Sequence, residues 1–289
     1  MNTDLEYARP GTLEEALDFL WNHGKETNLL AGGTDVVIDV RSGKLRAKYL
    51  VDISRLSDLK GIEIKEEGLV IGAGVTLSEI HDSQIISRFA PSLRKSSFNF
   101  ASRQIRNTAT IGGNVGNASP SADTVPPLIV HETTAVLGNV NGERRVPIDD
   151  LFAGPYKSAV RPEEIIVRFI LKPAEGKFND FQKIGRRKSL AVARINMAVL
   201  AEKDGEGTFS FIRLALGSST PTPRRMKDVE DFLMGKRPDR ALLIEGGLKM
   251  AEKMIEVSGR RPSTVYKEKA VQGLFVRMLY PMVEHERRS

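Results

Sequence analysis

The chain has no cysteine in its 289 residues. It makes no disulfide, holds no cysteine-ligated iron–sulfur cluster, builds no zinc–thiolate site and carries no cysteine nucleophile. Histidine is scarce too. His23, His81, His131 and His285 stand apart, without the spacing of a metal-ligand pair, and read as isolated polar or capping residues. No metal site is expected, so redox chemistry in this chain has to come from an organic cofactor. No apolar run approaches the ~18 residues that span a bilayer. The start, Met1-Asn2-Thr3-Asp4-Leu5-Glu6, lacks a basic region leading into an apolar stretch. A cytoplasmic location follows as the expectation. Long blocks of one charge are missing as well. The formal net charge is +6, but the clusters Arg186-Arg187-Lys188, Arg224-Arg225, Arg260-Arg261 and Arg287-Arg288 are short and mixed with acids. No aromatic stacking pattern accompanies them, so nucleic acid is not an expected partner. An acidic protein or an anionic cofactor accounts better for the balance.

What is present is glycine in pairs. One segment is Leu30-Ala31-Gly32-Gly33-Thr34-Asp35; the other is Thr110-Ile111-Gly112-Gly113-Asn114, running on into Asn117-Ala118-Ser119-Pro120-Ser121-Ala122-Asp123. Paired glycines sit where a side chain would obstruct something. Successive backbone N–H groups in such loops form concave nests for an anion. Two nests suit a ligand with two linked phosphates, a dinucleotide. Neither pair leads into Gly-Lys-Ser/Thr, which excludes a P-loop NTPase. Gly72-Ala73-Gly74 imitates a Rossmann fingerprint, but the third glycine position is Leu77, and a hairpin end is the better reading.

Periodicity organises the rest. Thr12 with Glu15, and Thr76 with Glu79, are capping boxes that open helices. Asn28–Ala31 and Tyr49–Ile53 read as strands, and Val36–Val40 is apolar and β-branched. Ile62–Lys65 with Leu69–Ala73, and Thr133–Leu137 with Arg144–Pro147, read as hairpins. Ser92–Ala101 gives no clear period. Val125–His131 is helical, its prolines fitting a first turn, and Ile165–Leu171 is a buried strand. Pro173–Lys177 marks the best boundary. Beyond it Phe178–Ile184, Ala191–Ala201 and Phe209–Gly217 are strands, and Met226–Met234, Arg240–Ser258 and Val265–Tyr280 are helices. That order predicts an antiparallel sheet with helices on one face, within an α+β fold.

The two glycine segments resemble the pyrophosphate-binding loops of the flavoprotein subunits of molybdenum hydroxylases, a group that includes the FAD domain of xanthine dehydrogenase and the medium subunit of aerobic carbon monoxide dehydrogenase. The likeness continues, in order, through Phe100–Asn107, Asp149–Pro155, Arg161–Ile166, Phe181–Arg187 and Ala215–Arg224. Thr34-Asp35 stands where the carbon monoxide branch has His-Ser, which argues against carbon monoxide as substrate.

The resemblance implies a two-part FAD-binding domain of the vanillyl-alcohol-oxidase (PCMH) type over residues 1–173, with subdomains near 1–57 and 58–173. A C-terminal α+β domain follows over 178–289. By the same resemblance Leu29, Leu30, Ala31, Gly32, Gly33, Thr34, Asp35 and Val36 wrap the diphosphate and ribityl region. Thr110, Ile111, Gly112, Gly113 and Asn114 close over its other side. Phe100 packs near the cofactor, Asp123 accepts from sugar or ribityl hydroxyls, and Ile166 lies near the flavin or adenine end. Lys183 is offset by one from the family's flavin-side lysine, where this chain has Gln182. No catalytic acid or base is expected. FAD would take electrons from a small partner with [2Fe–2S] clusters, fed by a large molybdopterin partner, and pass them to NAD or another acceptor; the assembly is a heterotrimer, single or doubled. Two other readings stay open. One is a stand-alone FAD-dependent reductase of the UDP-N-acetylenolpyruvoylglucosamine reductase type, which needs a catalytic Ser or Glu that the spacing does not single out. The other is a flavin-free assembly module.

Overall fold

The computed structural model describes residues 5–187 and 190–283. Lys188, His285 and the Arg287-Arg288 pair lie outside the described residues. The first part is a small three-stranded parallel sheet ordered β1-β3-β2 (Glu6–Ala8, Thr27–Leu30 and Tyr49–Asp52 in chain order). Helix α1 (Leu13–His23) joins β1 to β2 and buries Ala16 and Leu20 against Val51 and Ile53. Thr12 caps it through Glu15 N (3.1 Å), while the Glu15 carboxylate accepts from Gly11 N (2.6 Å), one residue earlier than a strict box.

The second part is a five-stranded antiparallel sheet, β4-β5-β10-β6-β7. Its strands are Ile62–Lys65 (β4), Gly68–Gly72 (β5), Thr134–Asn139 (β6), Gly142–Pro147 (β7) and Ile165–Leu171 (β10). A short hairpin, β8 (Phe152–Gly154) and β9 (Lys157–Ser158), precedes β10. Both expected long hairpins form. β10 joins the two parts because a β-bulge between Ile166 and Arg168 shifts the alternation of its side chains from one face to the other. Ile165 and Val167 enter the core of the small sheet, whereas Ile166, Phe169 and Leu171 enter the main core.

Between β5 and β6 run six short helices: α2 (Val36–Arg41) stands earlier, after β2, and α3 (Leu77–Asp82), α4 (Gln84–Phe89), α5 (Pro91–Phe98), α6 (Arg103–Arg106), α7 (Ile111–Gly116) and α8 (Val125–Val130) follow β5. The Thr76–Glu79 box opens α3 with both reciprocal bonds. Two segments that the sequence leaves unassigned are helical. Val36-Val37-Ile38 is β-branched yet helical, because Val37 N and Asp39 N bond back to the Gly33 and Asp35 carbonyls. α5 hid its period because its buried face is built largely of serine. Ser96 and Ser97 hydroxyls both donate to the Leu93 carbonyl, at 2.9 and 3.0 Å.

The C-terminal part is a four-stranded antiparallel sheet, β11 (Phe178–Gly185), β12 (Ala193–Lys203), β13 (Phe209–Gly217) and β14 (Arg224–Arg225), under α9 (Lys227–Leu233), α10 (Arg240–Ser258) and α11 (Thr264–Leu279). β12 shows why this sheet is buried on both sides. Ile195, Met197, Val199 and Ala201 pack on the helices, while Ala198 and Leu200 join the main N-terminal core with Phe181 and Ala215. The lobes therefore share one apolar seam.

His131, at the end of α8, ties the lobes together. Its Nδ1–H donates to the Lys172 carbonyl and its Nε2 accepts from Asn179 Nδ2 on β11, each at 2.8 Å. Burial lowers the imidazole from its ordinary value to about 4. The unfolded imidazole takes a proton near 6.5, so the unfolded chain binds the extra proton across the window between these values. Stability is whole above it and is lost as pH falls from about 6.5 to about 4, by about 3 kcal/mol. Thermal unfolding against pH should show this loss, and His131→Asn should flatten that window relative to the unsubstituted chain.

Candidate functional site

A cleft of about 420 Å³ opens between the small sheet, the start of α7 and the N-terminal end of β10, within the size range of cofactor sites. β2 delivers its first wall. After Leu30 the chain turns through Ala31–Asp35 and enters α2. Gly33 makes this turn at φ 72°, a conformation side chains disfavour. Gly32 is needed for a different reason: a Cβ there would overlap the Thr108 carbonyl oxygen. The first segment thus lies directly on the lead-in to the second. Asn117 Nδ2 donates to Asp35 Oδ2 at 3.2 Å and fastens the other end.

The backbone donors of the first segment are bare. No group among the described residues accepts a hydrogen bond from the N–H of Gly32, Gly33, Thr34, Asp35 or Val36. Buried or ligand-facing N–H groups are ordinarily paired, so a consecutive row of free ones facing a cleft fits an anionic ligand. The second segment is different and corrects the picture of two open nests. Thr110 is the N-cap of α7, accepting from Gly113 N at 3.0 Å. Ile111 N donates to Val75 O, Gly112 N to Ala73 O and Asn114 N to Thr110 O. From Ile111 to Asn114 its N–H groups are already engaged. What it offers is shape: a Cβ on Gly113 would meet only Thr110 Oγ1 at 3.0 Å and Ala31 Cβ at 4.0 Å, so this glycine leaves the space between the two segments open.

Leu29, Ala31, Gly32, Gly33, Thr34, Asp35, Val36, Phe100, Thr110, Gly112, Gly113, Asn114 and Ile166 all line the cleft. Leu30 and Ile111 support it from behind; Ile111 is fully buried. Asp123 and Lys183 are not brought into it. Lys183 Nζ meets Asp123 Oδ2 at 2.6 Å and the Asn99 carbonyl at 2.8 Å, while Asn196 Nδ2 donates to Asp123 Oδ1 at 2.9 Å. Burial pushes the Asp123 carboxyl up, against the pull of Lys183 and Asn196. Neighbouring positions on β11 separate Lys183 from Gln182: Lys183 turns to the N-terminal lobe, and Gln182 accepts from Arg277 Nε on α11 at 2.7 Å.

Sequence reasoning missed part of the opposite wall. Tyr156, at the tip of the β8–β9 hairpin, lines the mouth at φ 56° and is 68% exposed. Its N–H donates to Ala118 O at 2.9 Å, and Ala118 is itself left-handed at φ 49°. The Tyr-Lys that closes this hairpin was the available signal. Glu164 faces the cleft but is no free acid. Arg144 grips both its oxygens (2.6 and 2.7 Å) and Arg161 N donates to it at 2.8 Å. Burial alone would raise this carboxyl; those donors hold it below its usual range. Asp35 goes the other way, raised by burial and then by Asp39. The lining therefore offers donors, apolar walls and clearance, and among the described residues it shows no nucleophile–base pair. Among the described residues no cluster of side chains could hold a metal ion, and no helix is long and apolar enough to cross a membrane.

Residues 3–173 match the family model of the FAD binding domain in molybdopterin dehydrogenase, and residues 180–282 match that of the CO dehydrogenase flavoprotein C-terminal domain. The chain belongs to this family: it is an FAD-binding flavoprotein subunit of the molybdenum hydroxylase type, an oxidoreductase component with a PCMH-like N-terminal region and a C-terminal antiparallel sheet under helices. Among its relatives, a putative xanthine dehydrogenase FAD-binding subunit of Escherichia coli is 35% identical over 227 residues, 78% of this chain and 77% of the relative. The nicotinate dehydrogenase FAD-subunit of Eubacterium barkeri is 30% identical over 287 residues, 97% of each. A solved carbon monoxide dehydrogenase of Hydrogenophaga pseudoflava has a chain that superimposes with a TM-score of 0.90 at 27% identity, covering 98% of this chain and 100% of that one.

Gly113→Asp should separate the cleft from the fold. A carboxylate would enter the space beside Ala31, while an acid in the first turn of α7 suits that helix. FAD retention, read from the flavin absorbance of the purified protein, should fall by at least about 100-fold in affinity, a loss of about 3 kcal/mol, with thermal stability of the flavin-free protein unchanged.

Proposed function

We propose that the cleft holds FAD with its diphosphate on the bare N–H row of Gly32–Val36, and that the chain relays electrons from an iron–sulfur partner to NAD or another acceptor. The observation that carries this reading is that row of unengaged donors. Charge-assisted hydrogen bonds from backbone N–H to phosphate oxygen contribute about 1.5–3 kcal/mol each. In this arrangement Thr34 adds a hydroxyl and the Asp35 carboxyl accepts from a sugar hydroxyl. Leu29 and Ile166 give apolar walls, Phe100 packs against a ring, and Gly112, Gly113, Asn114 and Thr110 cap the diphosphate by shape. Bound FAD supplies the step between single-electron and hydride transfer. The chain's own residues position it, and Arg144 holds the nearby Glu164 carboxylate in its charged form.

Partners follow from what the chain lacks. Without cysteine it provides no thiolate ligands for a cluster. The family likeness then assigns electron donation to a separate [2Fe–2S] subunit and substrate oxidation to a molybdopterin subunit. A cytoplasmic heterotrimer is the corresponding assembly. Asp123 and Lys183 serve this reading as a brace that joins β11 to the segment carrying Asn99 and Phe100.

NAD is favoured among acceptors by a second hollow of about 590 Å³ between the lobes, on the other side of the Asn99–Arg106 segment that carries Phe100. Lys95, Arg103, Arg106, Arg187 and Arg277 line it, a cationic wall suited to an anionic dinucleotide. Anaerobic addition of NADH to the FAD-loaded chain should bleach the flavin absorbance. Arg103→Gln, at an exposed position, should raise the NADH concentration needed for half-bleaching about five-fold. Bleaching by a quinol and not by NADH would assign the acceptor to the quinones.

A further inference from the structure

Phe98, the last residue of α5, lines the hollow between the lobes and is 58% exposed. An open phenyl ring on a polar wall is a stacking surface. The His81 ring stacks on it, with centroids 5.1 Å apart at 27°, and the Arg106 guanidinium lies 5.8 Å from its centroid. Arg103 stands one turn before Arg106 on α6, on the same side of that helix. Both arginines line the hollow with Phe98. One wall thus combines an aromatic ring with two guanidinium groups.

That wall contains no acid: among the described residues that line the hollow there is no Asp or Glu. Lys95 and Lys183 are satisfied from behind it, by Asp180 and Asp123. The arginines meet neutral acceptors only. Arg106 Nη1 donates to the Phe100 and Ala101 carbonyls at 3.0 and 3.3 Å, Arg187 Nε to the Leu190 carbonyl at 3.1 Å, and Arg277 Nε to the Gln182 side-chain oxygen at 2.7 Å. The Arg103 guanidinium has no hydrogen-bond or ion-pair partner among the described residues. Asp82, whose charge reaches Arg103, is bonded to His81 at 2.8 Å and lies outside the lining.

Dinucleotide chemistry makes this composition selective. A free 2′-hydroxyl on the adenosine ribose donates a hydrogen bond, and a carboxylate is its usual acceptor; a 2′-phosphate only accepts and calls for arginine. It also brings nearly two further negative charges. The hollow has the arginines and lacks the carboxylate. The phosphate sits one ribose away from the base, so a ring for the base needs guanidinium groups close by, as Phe98 has. A planar guanidinium then grips the phosphate with two parallel bonds.

We propose that the hollow selects the 2′-phosphorylated dinucleotide, NADP(H), over NAD(H), with the adenine on Phe98 and the 2′-phosphate on Arg103 and Arg106. This rests on the reading of the hollow as a dinucleotide site and names which dinucleotide enters it. Arg106 stays anchored through Nη1 and offers its remaining nitrogens; Arg103 offers all of its own.

The test uses the full chain loaded with FAD, so that the cleft is filled. It is titrated calorimetrically with NADP⁺ and separately with NAD⁺, ionic strength being held constant with chloride. NADP⁺ should bind at least about thirty-fold more tightly. Arg103→Gln should weaken NADP⁺ about fifty-fold and NAD⁺ about five-fold, so that the preference falls about ten-fold. Arg187→Gln removes the same charge from another part of the lining; it should weaken both alike and leave the preference intact. Phe98→Leu should also weaken both alike, about ten-fold. FAD content should be unchanged in all three. Equal affinities for the two dinucleotides, or a preference that Arg103→Gln leaves untouched, overturn the selectivity while the hollow stands as a dinucleotide site. A preference lost equally in Arg187→Gln overturns the placement of the phosphate on Arg103 and Arg106. Saturable binding of neither dinucleotide overturns both the selectivity and the reading on which it rests.

Discussion

The contact of Gly32 with the Thr108 carbonyl sets the geometry on which the cleft depends. Because no side chain separates these backbones, the loop after β2 is pressed against the lead-in to α7. Gly33 then turns at positive φ, and the chain enters α2 along the cleft with the N–H groups of Gly32–Val36 unengaged. A side chain at Gly32 would move one wall away from the other. The free donors would survive, but the narrow space above them would not.

The two glycine pairs look alike in sequence and differ in physical role. The first leaves its backbone donors unengaged; in the second, the donors from Ile111 to Asn114 are engaged by Val75, Ala73 or Thr110. One pair supplies electrostatics, the other clearance. This division also explains the lack of ionisable machinery. The acid nearest the apolar wall, Glu164, is neutralised by Arg144, while Asp123 is drawn away into a buried pair with Lys183. Such a lining suits the holding of a cofactor, in keeping with an FAD-binding flavoprotein subunit of the molybdenum hydroxylase type.

Much of this was legible in the sequence because the signals were local. The Thr76–Glu79 box, the hairpins and the period-2 pattern of β12 each depend on neighbours a few residues apart, and each formed as expected. The α+β order followed from them. The failures have equally definite causes. Thr110 reads as a loop residue until its bond to Gly113 N shows it to be a helix cap. Val36-Val37-Ile38 has strand propensity, overridden by bonds to the Gly33 and Asp35 carbonyls. α5 turned serines inward, which no hydrophobic pattern reveals. The Asp123–Lys183 pair spans 60 positions, and only the packing of the lobes brings it together. Tyr156 was missed because its role arises from a left-handed hairpin tip held by Ala118.

Hydrogen–deuterium exchange of the backbone, with and without FAD, addresses the central claim most directly. The amides of Gly32–Val36 should exchange fast in the flavin-free protein and become strongly protected when FAD binds, while those of Ile111–Asn114, already engaged, should change little. Protection confined to Ile111–Asn114, or no change at Gly32–Val36 in protein that demonstrably holds FAD, would contradict the account.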